Sequence, residues 1–302
     1  MFVMHTAREV AAALVGEAVD TITPSTDLGD RAPEALERLA ASVADTLVRE
    51  QVLDGRAEAM RVMPKAVDLP STEVASVAEV TTRAAVRLLI STRLDVPYEE
   101  LRPELHFALD LGADSLTRVD LVLLLEETLD VSVPDDSMFL VQSVGDAELF
   151  ATLFDRTREE VVLSLGEAAR DLTFDTPLSR FGDSAARVAL DAATKASSLG
   201  FSLPDCPCHT LKDAVRLAFL TEKLRIAVAT AAGVDPGEVT AESVPERDFG
   251  LDSASTRSLI HELTSAMDLG LNPVGDGHSR PLIETVKALA ELSADETGGT
   301  PR

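Results

Sequence analysis

An aspartate followed directly by a serine stands behind a glycine three times in this chain, as Gly112-Ala113-Asp114-Ser115, Gly182-Asp183-Ser184 and Gly250-Leu251-Asp252-Ser253. Ser184 lies midway between the other two serines. A serine ahead of an apolar helical run ordinarily caps that helix by accepting a backbone N–H, and a neighbouring carboxylate complements the helix dipole. Left uncommitted, the same hydroxyl is a site for covalent modification. Little else in the chain offers chemistry. His5, His106, His209, His261 and His278 show neither triad nor metal spacing, with His261 on a helix face and His106 in a loop. Cys206-Pro207-Cys208-His209 is too tight for a zinc ligand set and has the wrong spacing for a redox pair, so buried thiols are expected.

The elements that must position these serines follow from periodicity. After Ser115, the residues Leu116, Val119, Leu121, Val122, Leu123, Leu125 and Leu129 fall at helical spacing and predict one broad buried stripe. Asp114, Asp120, Glu126, Glu127, Asp130, Asp135 and Asp136 then predict an acidic outer face, and Pro134 stops the pattern. Ser143-Val144-Gly145-Asp146-Ala147 reads as the start of a closing helix. Thr72 and Thr210 hold similar places ahead of Ser115 and Ser253. Beyond Thr210, the residues Leu211, Ala214, Val215, Leu217, Ala218, Leu220, Leu224 and Ile226 continue helically, with no Pro or Gly before Gly233. One closing helix is therefore expected to run almost directly into the next opening helix. At the N-terminus, Thr6 to Asp20 echoes Thr157 to Asp171, and Leu28-Gly29-Asp30-Arg31 stands where Phe181-Gly182-Asp183-Ser184 stands later. A fourth copy is expected there, with a guanidinium in place of the hydroxyl.

The Leu111-to-Leu116 segment, its apolar helix, the proline stop and the Ser143 helix start together resemble the attachment domain of acyl carrier proteins of the polyketide or fatty-acid synthase type. The resemblance implies an all-α fold, a tandem array of four-helix bundles. The expected domains are 1–79 (degenerate, Arg31 at the serine position), 80–155 (Ser115), 156–220 (divergent, Ser184) and 221–295 (Ser253), followed by a disordered tail at 296–302. It implies covalent phosphopantetheine derived from coenzyme A, attached chiefly at Ser115 and in addition at Ser253 and Ser184. Asp114, Leu116, Glu126, Glu127, Asp183 and Asp252 are the implied partner-recognition residues. The implied partners are a phosphopantetheinyl transferase, then ketosynthase, acyltransferase or ligase and tailoring enzymes with basic docking patches. Ser253 is followed by Ala254 and Ser184 by Ala185, where the family usually has leucine. The second of these segments also lacks one loop residue.

Composition bounds the alternatives. Fifty-two acidic against 27 basic residues give a formal net charge of −25, which disfavours nucleic acid or an anionic membrane as partner. No stretch approaches a membrane span, and Glu9, Glu17 and Asp20 stand where a signal peptide would be basic and then apolar, so a cytoplasmic protein is expected. Fifteen prolines and 16 glycines are too few for long flexible tethers. Two function classes stay open: a multi-domain carrier without catalytic residues of its own, or a non-acylated docking scaffold built from carrier-like domains.

Overall fold

The computed structural model describes residues 77–129, 141–169, 172–197, 199–204, 206–266 and 280–288, with residues 9, 11–13, 18–22, 26 and 42 ahead of them. The expected domain 1–79 with Leu28, Gly29, Asp30 and Arg31 lies almost wholly outside the described residues. So do Thr72, Asp130, Pro134, Asp135, Asp136, His278 and the tail 296–302. The chain is mostly helical, with no strand among the described residues and a single isolated antiparallel bridge between His106 and Ser143. Contacts divide it into two compact units, residues 1–133 with 141–156, and residues 134–140 with 157–302.

In the first unit, α1 (Val77–Leu94) packs on α2 (Ser115–Leu129), and α3 (Val144–Leu165) begins at the end of the described loop. Ala85, Val86, Leu89 and Ile90 of α1, Leu121, Val122 and Leu125 of α2, and Val144, Ala147 and Phe150 of α3 form the core, with Leu101 and Phe107 inserted from the loop. Arg87 and Glu148 make a buried ion pair that ties α1 to α3. Burial alone would lower the Arg87 guanidinium, but Glu148 beside it more than compensates and holds its pKa above the ordinary value. Asp95, at φ 56°, ends α1 in the left-handed region, and the Val96 N–H returns to the Ser91 carbonyl at 3.1 Å. A capping box starts α3: the Ser143 N–H donates to Asp146, and the Asp146 N–H donates to the Ser143 hydroxyl.

In the second unit, α4 (Ala185–Ala196) packs on α5 (Leu211–Ala232), which also packs against α7 (Ser253–Ala266). The short α6 (Pro245–Phe249) lies between α5 and α7 in sequence. Thr210 and Asp213 start α5 with a capping box of the same kind, and the helix runs unbroken for 22 residues to Gly233 at φ 69°. This matches the expected merger of a closing with an opening helix, and both expected boundaries, 155/156 and 220/221, fall inside continuous helices. Leu211, Ala214, Val215, Leu217, Ala218, Leu220 and Leu224 are buried, whereas Ile226 is exposed.

The loop of the first unit is repeated in the second at the interval that separates Ser115 from Ser253. Val96 N–H to Ser91 O corresponds to Val234 N–H to Ala229 O, and Leu101 to Tyr98 corresponds to Val239 to Pro236. Ala113 to Phe107 corresponds to Leu251 to Pro245. Val144 to Leu105 and Gly145 to Pro103 correspond to Leu282 to Ser243 and Ile283 to Ala241. Asp95 corresponds to Gly233, and Arg87 to Arg225, which is likewise buried but pairs with Glu222 of its own helix.

Candidate functional site

Ser115 is the first residue of α2, and the residue that caps this helix is Asp114. Its carboxylate accepts the Thr117 N–H at 2.7 Å. That N–H, then the Thr117 hydroxyl and the Leu116 N–H, hold the Asp114 carboxyl below its ordinary pKa. Because the aspartate takes the capping role, the exposed Ser115 hydroxyl bonds no group among the described residues. Gly112, three residues earlier, turns the chain at φ 66°, a conformation that L side chains rarely adopt. No heavy atom approaches within 4 Å of where its Cβ would stand, so this side of the site is open. The loop before it is fixed by His106, whose Nδ1 accepts the N–H groups of Ala108 and Leu109 at 3.2 and 3.3 Å. The His106 N–H in turn donates to the Asp110 carboxylate at 2.8 Å.

The buried stripe predicted for α2 is narrower than expected. Leu121, Val122 and Leu125 are buried, but Leu116 is 70% and Leu123 55% exposed. They lie on the opposite side of the helix from the core, and Leu109 in the preceding loop is 83% exposed. Leu109 carries no periodic signal in the sequence, because it sits in a short turn with no helical pattern around it. Of the predicted acidic face, Glu127 is exposed and Glu126 half-buried, whereas Asp120 is paired with Arg93 of α1.

At the second site the arrangement is the same. Gly250 has φ 70°, the Asp252 carboxylate accepts the Ser255 N–H at 2.7 Å, and Ser253 is the first residue of α7 with an exposed hydroxyl that bonds nothing described. The Ser255 N–H lowers the Asp252 carboxyl in the same way. The third serine differs. Gly182 adopts φ 102°, ψ 172°, Ser184 itself occupies the cap position of α4 without making a side-chain cap bond, and the Asp183 carboxylate bonds no described N–H. Ser184, Asp183 and Ser253 are all exposed.

Cys208 is buried and donates to the Thr210 carbonyl at 3.4 Å; burial pushes its thiol up to about 12, far from reactive range. Cys206 is half-buried, and no group of three or more His, Cys, Asp or Glu side chains among the described residues is arranged to hold a metal. Among the described residues no helix is long and apolar enough to cross a membrane.

These features define a helical domain that offers an uncommitted serine hydroxyl for covalent loading. Residues 84–149 match the family model described as phosphopantetheine attachment site. Over 67 residues, 22% of this chain and 86% of the relative, the chain is 43% identical to the acyl carrier protein of Caulobacter vibrioides strain NA1000 / CB15N. The same figures hold for that of Caulobacter vibrioides strain ATCC 19089 / CIP 103742 / CB 15. No solved structure gives a match. The chain belongs to the acyl carrier protein family, and its prosthetic group is covalently attached phosphopantetheine. The exposed hydroxyl of Ser115, bonded to no described group and lying inside the matched segment, fits that group. Membership implies a carrier role and interaction with a phosphopantetheinyl transferase and synthase enzymes.

Proposed function

We propose that the chain is a multi-domain acyl carrier protein that holds acyl or polyketide intermediates as thioesters, chiefly on Ser115, and presents them to the enzymes of one biosynthetic pathway. The observation that carries this reading is the Ser115 hydroxyl: exposed, bonded to no described group, first in its helix and inside the matched segment. Attachment forms a P–O bond between Ser115 Oγ and the pantetheine-side phosphorus of coenzyme A. The pyrophosphate P–O bond breaks, adenosine 3′,5′-bisphosphate leaves, and the hydroxyl proton passes to the transferase. Once attached, the group supplies a thiol for thioester chemistry, and the protein supplies position and recognition.

Asp114 orients the helix start, Leu116 offers apolar contact, and Glu126 and Glu127 add negative charge that steers basic partners at modest affinity. Asp252 has Asp114's role at its own site. Domain 80–155 is the working carrier; 221–295 is carrier-like, 156–220 divergent and 1–79 degenerate. Separate domains in one chain raise the local concentration of intermediates for shared enzymes. The protein works in the cytoplasm, with ketosynthase, acyltransferase or ligase and tailoring enzymes as partners. A non-acylated docking role is favoured for domain 1–79, whose Arg31 replaces the hydroxyl, and for domain 156–220, because Asp183 bonds no described N–H and Ser184 stands at a different place in its helix.

The test is intact mass of the full chain after incubation with coenzyme A, magnesium and a broad-specificity phosphopantetheinyl transferase, followed by peptide mapping. An arm on the Ser115 peptide supports the carrier; a folded protein without any addition overturns it and leaves the scaffold.

A further inference from the structure

We propose that Ser253 is a second attachment serine, that Ser184 is not one, and that the surroundings of Ser253 make it the slower of the two loaded sites. The inference rests on the carrier reading of Ser115.

Two registers select Ser253. The first is the backbone: the loop hydrogen bonds that lead into Ser115, from the end of α1 to the start of α3, have counterparts at one constant interval around Ser253. The second is the core. Val122 follows Ser115 at the same spacing at which Ile260 follows Ser253, and both are buried. α4 is set differently. Its first helical return, from the Val188 N–H to the Ser184 carbonyl, matches Arg118 to Asp114 and Thr256 to Asp252, so Ser184 stands where the two capping aspartates stand. The place of Ser115 is taken in α4 by the buried Ala185, which has no hydroxyl to donate. One residue of displacement turns a side chain by about 100° round the helix axis and moves it about 1.5 Å along it. A transferase seated on the helix that finds Ser115 and Ser253 therefore meets a buried alanine in α4.

The surfaces around the two selected serines differ as much as their backbones agree. At the same interval, the exposed Leu109, Leu116 and Leu123 become Arg247, Ala254 and His261, all exposed. Asp120, Glu126 and Glu127 become Ser258, Thr264 and Ser265. A transferase that uses Leu109, Leu116, Leu123 and the acids along α2 finds none of those side chains at the matching places near Ser253, where only Asp248 and Asp252 are kept. Every leucine side chain missing from the docking surface weakens the encounter, and tenfold in rate corresponds to about 1.4 kcal/mol. The bond changes at Ser253 Oγ are those described for Ser115.

The experiment follows the peptides bearing Ser115, Ser184 and Ser253 by mass over time, using the full chain, coenzyme A, magnesium and one broad-specificity transferase. The expected result is rapid loading of Ser115, loading of Ser253 at about one-tenth of that rate or less, and none at Ser184. Ser253→Ala removes the second addition alone. The triple variant Arg247→Leu, Ala254→Leu, His261→Leu raises the Ser253 rate several-fold, with circular dichroism checking its fold. Absence of loading at Ser115 overturns the carrier reading itself. Ser115 loaded with Ser253 bare, in the parent and in the triple variant, overturns only the second site. Loading at Ser184 overturns the register argument, and equal rates at Ser115 and Ser253 overturn the surface argument.

Discussion

Around Ser115 and around Ser253 the backbone turns, caps and returns through the same hydrogen bonds, while the exposed Leu109, Leu116 and Leu123 of the first site give way to Arg247, Ala254 and His261. Around Ser184 the reverse holds in part: an aspartate-serine pair is kept, yet the helix beneath it is shifted by one residue. The dipeptide by itself therefore does not fix the local geometry. At Ser115 and Ser253 a left-handed glycine, an aspartate that takes over the cap, and a serine thereby released from capping occur together. Those three features concern backbone geometry and leave the surface free to vary.

The likeness of the two sites is challenged most directly at the hydroxyl. Ser115→Ala is expected to abolish phosphopantetheine addition to its domain completely while leaving any addition at Ser253 in place, read by intact mass and peptide mapping. Loss of both additions would show that the two sites are not independent.

A smaller but still large effect is expected from the buried arginines. Glu148→Ala strands Arg87, and Glu222→Ala strands Arg225, each at a cost of about 3–5 kcal/mol in denaturant unfolding. The consequences diverge: the first cuts a tie between α1 and α3, the second only a link within α5. Hydrogen exchange at the start of the closing helix should therefore rise after the first substitution and not after the second.

Gly112→Ala and Gly250→Ala should each cost about 1–2 kcal/mol, and equally, because nothing crowds the new methyl at Gly112 or Gly250 and only the left-handed backbone resists it. At the end of α1 the asymmetry runs the other way. Asp95→Gly should stabilise by up to about 1 kcal/mol by matching Gly233, as thermal unfolding would register.

The last and weakest contrast is electrostatic. Asp114 and Asp252 titrate below the ordinary carboxyl range because helix N–H groups hold their charged forms. Their folded values lie below their unfolded ones. The capping contribution is therefore fully present above the unfolded value and is lost as pH falls through the folded one. Asp248, beside Arg247, is drawn down to about 2, so its contribution persists to still lower pH. Carbon-13 titration of the side-chain carboxyls should place Asp248 lowest of the three.

Much of this was legible in the sequence, and the reasons for the exceptions are physical. The Ser143 and Thr210 helix starts are visible because a hydroxyl and an aspartate three residues later form a local box that needs no tertiary context. The unbroken run from Leu211 to Gly233 is visible because only glycine and proline punctuate helices strongly. The exposure of Leu123 was hidden, and that of Leu116 came from the family resemblance and not from the pattern, since periodicity counts apolar residues but does not say which side of a mostly apolar helix faces the core. The missing loop residue before Ser184 can be read from the letters. Whether it displaces the serine or the helix cannot, because that depends on which side chains the core accepts. The Asp120 pairing with Arg93 was equally out of reach, being a contact between residues on different helices.

The 22-residue α5 has a thermodynamic consequence as well as a structural one. It packs against both α4 and α7, so the segments carrying Ser184 and Ser253 share a single rod about 33 Å long. Neither segment can melt while leaving that rod intact for the other. The pair is expected to unfold as one cooperative transition, each segment stabilising the other through the helix they share.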